Sequence, residues 1–270
     1  MDDLKGQIAV VTGSSRGIGK GIAIALGEKG CTVYSTGRST GDGDRTIDTT
    51  ARLVTEAGGE GRAIQCDHGN DDEIEALFKQ IGEEAGRIDI LVNNVYKIPS
   101  PPAWGGGYWD HPIQVWDDQV GIGLRAHYVA SWHAAQWMFK SDYARMMNVS
   151  SPGGQSYHFS SSYGAGKAGL DRLTADMAIE LEPKGIPAVV LYPGSVATEF
   201  IQDAAEEREM DLTQSQTPLL VGRAATSLLM QDDLMSRTGT IQWVEDVIEE
   251  FDLYDENGSR PTQRYAERQG

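Results

Sequence analysis

Cysteine is scarce: 270 residues carry two, Cys31 and Cys66. Two thiols outside any Cys-x-x-Cys pair cannot staple a chain of this length. A disulfide-built scaffold is excluded, and both read as small buried hydrophobes. Positive charge is also short. Lys plus Arg is 23 against 40 Asp plus Glu, a formal net charge of −17. That balance disfavours non-specific binding to nucleic acid or anionic membrane. No apolar run approaches the roughly 18 residues of a membrane-spanning helix. The opening Met1-Asp2-Asp3-Leu4-Lys5 has no basic stretch leading into an apolar one, so no signal peptide and a cytoplasmic location are expected. The sequons at Asn148 and Asn257 are then chance matches. His68, His111, His127, His133 and His158 form no ligand-spaced pair with a carboxylate or cysteine. No metal site is expected. Asp255-Glu-Asn257-Gly258 has part of a calcium loop without the rest, and a turn explains it.

What is present is a globular composition, 40% apolar and 23% charged, which argues against wholesale disorder. Residues 8–11, 31–35, 63–65, 89–92, 146–149, 188–191 and 240–244 read as strands. Residues 18–28, 71–84, 115–140, 163–181 and 217–230 read as helices. In 71–84 the stripe Ile74, Leu77, Phe78, Ile81 has helical spacing. This alternation predicts the α/β class: a doubly wound parallel sheet with helices on both faces. No composition shift divides 1–270, so one domain is expected. Three segments break the rhythm: 39–46, polar and Gly/Asp-rich; 98–109, rich in Pro, Gly and aromatics; and 201–216, acidic and polar. Ligands of such sheets sit beyond the carboxyl ends of the strands. The second and third segments are therefore candidate lids over a substrate.

The first strand leads into Thr12-Gly13-Ser14-Ser15-Arg16-Gly17-Ile18-Gly19 and then a helix. Glycines allow a sharp turn and close approach to a pyrophosphate, and the helix supplies free N–H groups and a positive dipole end. Further along come Asn93-Asn94-Val95, Tyr163-Gly-Ala-Gly-Lys167 and Pro193-Gly194-Ser-Val196-Ala-Thr198. In this order and on these elements, they resemble the short-chain dehydrogenase/reductase family over residues 6 to about 200. Tyr96 after Asn-Asn-Val, Trp116-Asp-Asp, Leu124-Arg-Ala-His127-Tyr128 and Ser150-Ser-Pro-Gly153 are similar to the branch called dehydrogenase/reductase family member 1.

The resemblance implies a Rossmann-type sheet, a nicotinamide cofactor and hydride transfer between a carbonyl and an alcohol. Cofactor contacts then fall to Gly13, Ser15, Arg16, Gly17, Ile18, Gly19, Asp67 (adenine), Asn93 (adenosine half), Pro193, Val196 and Thr198 (nicotinamide amide). The second strand ends at Gly37-Arg38, where a carboxylate would favour a free ribose 2′-hydroxyl. A guanidinium grips a phosphate bidentately, and Arg16 offers a second charge. NADP is favoured over NAD.

Tyr163 and Lys167 are four apart on a helix and share a face. An ammonium beside a phenol stabilises the phenolate, giving a general acid or base at neutral pH. The resemblance adds a contact from Lys167 to the nicotinamide ribose and a serine that holds the substrate oxygen. Ser151 is favoured, with Ser150 the alternative. One departure stands out. Many family members carry an asparagine in the long helix that anchors a proton-relay water, and Gly123 falls at that place. Gly121 and Gly123 together weaken the helix, so a kink or bulge is expected. A catalytically weak nucleotide-binding sensor or scaffold, or an epimerase or dehydratase, are the alternative functions. Tyr96, Trp104, Tyr108, Trp109 and Tyr157 either form an apolar, aromatic pocket for a small carbonyl substrate or pack a loop. A homodimer or homotetramer is implied, paired through helices 115–140 and 163–181. Residues beyond Asp246 carry no assigned role.

Overall fold

The computed structural model describes residues 3–262. Seven parallel strands form one sheet in the order β3-β2-β1-β4-β5-β6-β7. They are β1 (Ile8–Thr12), β2 (Thr32–Gly37), β3 (Glu60–Gln65), β4 (Ile90–Asn93), β5 (Arg145–Val149), β6 (Ala188–Tyr192) and β7 (Ile241–Trp243). The strands β4, β5 and β6 are buried throughout. Strands covered on both faces read as continuous apolar runs, which is why they stand out in the sequence. The connection reverses between β1 and β4, which are paired in register Val10↔Leu91. Doubly wound sheets bind ligands at that crevice.

Two apolar cores flank the sheet. One packs β1, β5 and β6 residues against α1 (Gly17–Glu28), α8 (Pro218–Leu229) and α9 (Val244–Glu250). There α1 and α8 cross backbone to backbone, because any side chain at Gly21 or Gly222 would strike the other helix's main chain. The other core buries α3 (Asp71–Ala85), α5 (Ala126–Met138) and α6 (Ser161–Leu181). The helix α3 shows why such elements form. Asn70 caps its N-terminus by accepting from the Asp72 N–H, and Asp71, Asp72 and Glu73 face the positive dipole end. Gly86, at φ +79°, closes it in the left-handed conformation.

Three elements differ from the sequence reading. Residues 47–56 form α2 (Ile47–Glu56), capped by Thr46; its stripe Ile47, Thr50, Ala51, Val54 is half threonine and alanine, so its apolar signal is weak. The first half of the expected 201–216 segment is helix: α7 (Glu199–Arg208), capped by Thr198. Only Ala204 and Ala205 are buried in it, so no apolar stripe announces it. The expected long helix 115–140 is not uniform. A short α4 (Gln114–Trp116) passes into a π-helical stretch, Asp117–Arg125, before α5. The bulge expected from Gly121 and Gly123 lies inside that stretch, and π-turns of this kind gather at functional sites. Beyond Asp246 the chain also has a structural part. The Asp255 carboxylate accepts from the N–H and hydroxyl of Thr217 (3.2 and 2.8 Å), anchoring the start of α8. Asp255–Gly258 is a turn, closed by Gly258 N–H to Asp255 O.

Candidate active site

The glycine-rich turn leaves β1 at the reversal point. Gly13 and Gly17 have φ of +67° and +58°, where side chains are strained. Gly13 also faces Val95 so closely that a Cβ would lie 2.7 Å from its Cα. Asn94 stitches the turn: its amide donates to Thr12 O and Gly13 O, both at 2.9 Å. Asn93 plays an internal part. Its side chain is wholly buried and donates to Asn148 Oδ1 (2.8 Å) and Ser131 Oγ (2.9 Å). Its amide ties β4 to β5 and α5, so an adenosine contact at Asn93 would come from its main chain.

At the start of α1 the Gly17 N–H donates to Glu199 Oε2 at 2.7 Å. A carboxylate from α7 thus sits where a helix N-terminus favours negative charge. A second contact holds α7 across the same groove. Arg45, in the 39–46 loop, pairs bidentately with Asp203 at 2.6 and 2.8 Å. Val196 bridges to Gln216 and fixes the base of the 201–216 segment. Thr198 spends its hydroxyl capping α7. Gly194 lies against the Glu245 carboxylate with no room for a side chain. Arg38 and Asp67 meet at the ends of β2 and β3 in a loose ion pair, 3.8 Å apart. Both are well exposed, so the pair is weak and Arg38 remains available to an anion.

The helix α6 begins at the Ser160 cap, whose hydroxyl accepts from the Tyr163 N–H. That places Tyr163 in the first turn, over the end of β5. Its hydroxyl donates to Ser151 Oγ at 2.8 Å. Ser150 turns inward, 3.4 Å from the Lys167 carbonyl. Of the two serines, Ser151 is the one in contact with the tyrosine. Lys167 is buried one turn below, its Nζ donating to Val149 O at 3.1 Å. Burial pushes its pKa down to about 8, opposed by Asp171. Burial raises the Tyr163 pKa, while the Ser151 hydrogen bond lowers it. Tyr192 on β6 donates to Asp171, completing a polar floor beneath the pair.

Aromatic rings cluster beside the Tyr163 ring. Tyr96 meets the Tyr163 ring edge-on at 5.8 Å between centroids, and Phe159 does so at 5.2 Å. Trp104 packs against Phe159 and Phe200, at 6.2 and 5.5 Å. The Arg208 guanidinium lies over Trp104, 4.5 Å from its centroid. Of the five aromatics read from the sequence, Tyr96 and Trp104 converge here. Tyr108 and Trp109 are 73% and 74% exposed and stack on each other; Tyr157 is likewise exposed. Sequence reasoning misses Phe159 and Phe200. Each adjoins a feature that the sequence does offer, His158 in one case and the end of the Pro-Gly motif, two residues before Phe200, in the other. Phe159 holds a φ of +60°, a strained conformation for an aromatic residue. His158 points to Ser156 on the surface. No helix among the described residues is long and apolar enough to cross a membrane.

The sequence profile of the short chain dehydrogenase family matches residues 7–209. The chain belongs to the short-chain dehydrogenase/reductase family. It is 36% identical to human dehydrogenase/reductase SDR family member 1, across 97% of this chain and 87% of that one, which places it in that branch. A short-chain dehydrogenase from Mycobacterium thermoresistibile superposes with a TM-score of 0.83 at 27% identity, covering 97% and 94% of the two chains. A single-site variant of actinorhodin polyketide ketoreductase with NADPH superposes at 0.77 and 27%, covering 88% and 95%. Members of this oxidoreductase family use NAD(P), so this chain carries a family fold built for a nicotinamide cofactor and a small-molecule substrate.

Proposed function

We propose that the chain is an NADP(H)-dependent carbonyl reductase that also oxidises the matching alcohol. The observation that carries this reading is the 2.8 Å hydrogen bond from Tyr163 to Ser151 directly above the buried Lys167. The cofactor groove fits an anion, since the Gly17 N–H already donates to a carboxylate. Gly13, Ser15, Arg16, Gly17, Ile18 and Gly19 would hold the pyrophosphate, Arg38 and Arg16 the 2′-phosphate, and Asp67 and the Asn93 main chain the adenosine. Pro193, Val196 and Thr198 would hold the nicotinamide amide, and Tyr163 and Lys167 its ribose. Bound there, NADPH supplies the hydride.

The remaining work falls to three side chains. Ser151 and Tyr163 both donate to the carbonyl oxygen, drawing charge onto it. Tyr163 gives its proton to the oxygen as charge develops. The Lys167 ammonium stabilises the phenolate left behind. The rings of Tyr96, Trp104, Phe159 and Phe200 favour an apolar or aromatic carbonyl, covered by segments 98–109 and 201–216. The test is NADPH consumption over a panel of ketones, aldehydes and quinones. Turnover of apolar carbonyls supports the reading. Substrate conversion without net cofactor change would replace it with epimerase or dehydratase chemistry.

Glu199 gives a separate expectation. Its carboxylate takes the amide that a pyrophosphate needs and adds a negative charge beside it. Glu199→Gln should therefore bind NADPH about tenfold more tightly, the lower end of what one charge-assisted hydrogen bond is worth. Calorimetric titration reads this directly; unchanged or weaker binding would refute the competition. Self-association as a homodimer or homotetramer in the cytoplasm belongs to the same proposal. Tyr128 and Trp132 on α5 and Ile179 on α6 are exposed apolar side chains on the two expected pairing helices. Light scattering should return a multimer, and a monomer would contradict this part.

A further inference from the structure

The place left by Gly123 is filled. A Cβ at Gly123 would lie 3.1 Å from Tyr96 Cδ2 and 3.3 Å from Cε2. The bare glycine in the π-helical stretch is what lets the Tyr96 ring seat there. From that seat the ring touches both members of the reacting pair. Its centroid is 5.8 Å from that of Tyr163, at an interplanar angle of 87°. The Lys167 Nζ lies 5.3 Å from the same ring, within the range in which an ammonium is attracted to an aromatic face. The ring is itself fixed. Its hydroxyl is hydrogen-bonded to Gln119, and Gln119 Oε1 accepts from Ser160 (2.9 Å) and Ser162 (2.5 Å) at the start of α6. One chain of contacts thus runs from the cap of the catalytic helix, through Gln119 and Tyr96, back to Tyr163 and Lys167.

We propose that Tyr96 is a positioning residue of this centre: its ring, seated in the hollow of Gly123, fixes Tyr163 edge-on and holds the Lys167 ammonium. The inference rests on the reading of Tyr163 and Lys167 as the proton-transfer pair. The relevant part of Tyr96 is the ring. Burial raises its own pKa above the ordinary phenol range, so it stays protonated at working pH. Lys167 meets other groups too. Tyr163 and Asp171 lie on its own helix, and Tyr192 reaches it through Asp171. From β5 come the Val149 carbonyl and Ser150. From α5 comes His127, held neutral by burial, which pushes its pKa down to about 3. Asp118, in the π-helical stretch, is neutralised by Lys97 at 2.7 Å. Of these groups, Tyr163 is the one whose ring packs against Tyr96.

Two readouts test the proposal, one of which needs no turnover. The first is the Lys167 pKa, by NMR of 13C-labelled lysine, with Lys167→Met to assign the signal. Tyr96→Leu keeps the site dry but removes the ring, so the ammonium loses its partner and its pKa falls by about one unit. Tyr96→Phe keeps the ring and should leave it within about 0.3 unit. The second is the pH profile of carbonyl reduction. Lys167 must be charged, so the rate falls as pH rises through about 8. In Tyr96→Leu that basic limb moves to lower pH, and Tyr96→Phe restores it. If Tyr96→Leu does not fold, Gly123→Ala crowds the Tyr96 ring, whose Cδ2 would lie 3.1 Å from the new Cβ, and should shift Lys167 in the same sense by a smaller amount. A Lys167 pKa unchanged in the folded Leu variant, or in Gly123→Ala where that stands in, overturns the proposal. A Phe variant that behaves like Leu does so as well, since the hydroxyl would then be the working part. A wild type that reduces no carbonyl refutes the proposed reaction, while the lysine titration still decides the role of Tyr96.

Discussion

Tyr163→Phe should lower kcat for carbonyl reduction by about a thousandfold, the usual scale for removing a positioned general acid. The phenyl ring keeps the packing against Tyr96 and Phe159, so the fold and the groove survive. What goes is the group at the site that combines a transferable proton with contact to Ser151. Lys167 does not replace it. Its Nζ is directed to Val149 O, behind the tyrosine. NADPH affinity should stay within about threefold, since the phenol is one of many contacts. A variant with full turnover would remove Tyr163 from the chemistry. A variant that also fails to bind NADPH would mean the ring serves the groove instead.

Arg38→Ala should weaken NADPH binding by about thirtyfold and leave NADH nearly unchanged. A bidentate, charge-assisted contact to a phosphate is worth about 1.5–3 kcal/mol, or roughly ten- to a hundredfold. The geometry adds a second cause. Arg38 is the cation 3.8 Å from Asp67. Without it, the Asp67 carboxylate faces the 2′-phosphate uncompensated and repels it. Both groups are exposed, so the NADPH preference should shrink as salt rises. Titration of both cofactors into wild type and variant gives the comparison. Equal wild-type affinity for NADH and NADPH would place the selectivity elsewhere or nowhere.

Much of the fold can be read because its strands are buried on both faces. Runs such as Ile90–Asn93 and Ala188–Tyr192 are short, rich in apolar and β-branched residues and buried throughout, which favours strands over helix segments. The two missed helices fail that rule for a physical reason. α2 buries threonine and alanine, and α7 buries two alanines, so neither shows an apolar stripe. They are held instead by caps and by ion pairs distant in sequence, such as Arg45 with Asp203. The Tyr163–Lys167 pair is legible because four residues make about one helical turn. Ser151 is legible in part: the sequence leaves Ser150 open, and the end of β5 decides which hydroxyl turns outward. The internal hydrogen bonds of the Asn93 side chain are not legible in the motif, because adjacent residues of a strand face opposite ways. The motif names two asparagines, and the sheet sends the first inward. The filling of Gly123 by Tyr96 joins residues far apart in sequence across a π-turn. No periodicity in the sequence encodes that contact.

The most direct measurement is isotope transfer. NADPH carrying deuterium at the transferable position is incubated with the enzyme and an apolar ketone, and the alcohol is weighed by mass spectrometry. The account predicts one deuterium on the carbinol carbon, matched by oxidised cofactor, and no labelled alcohol with Tyr163→Phe. An alcohol formed without label, or a substrate altered while the cofactor stays reduced, would contradict it.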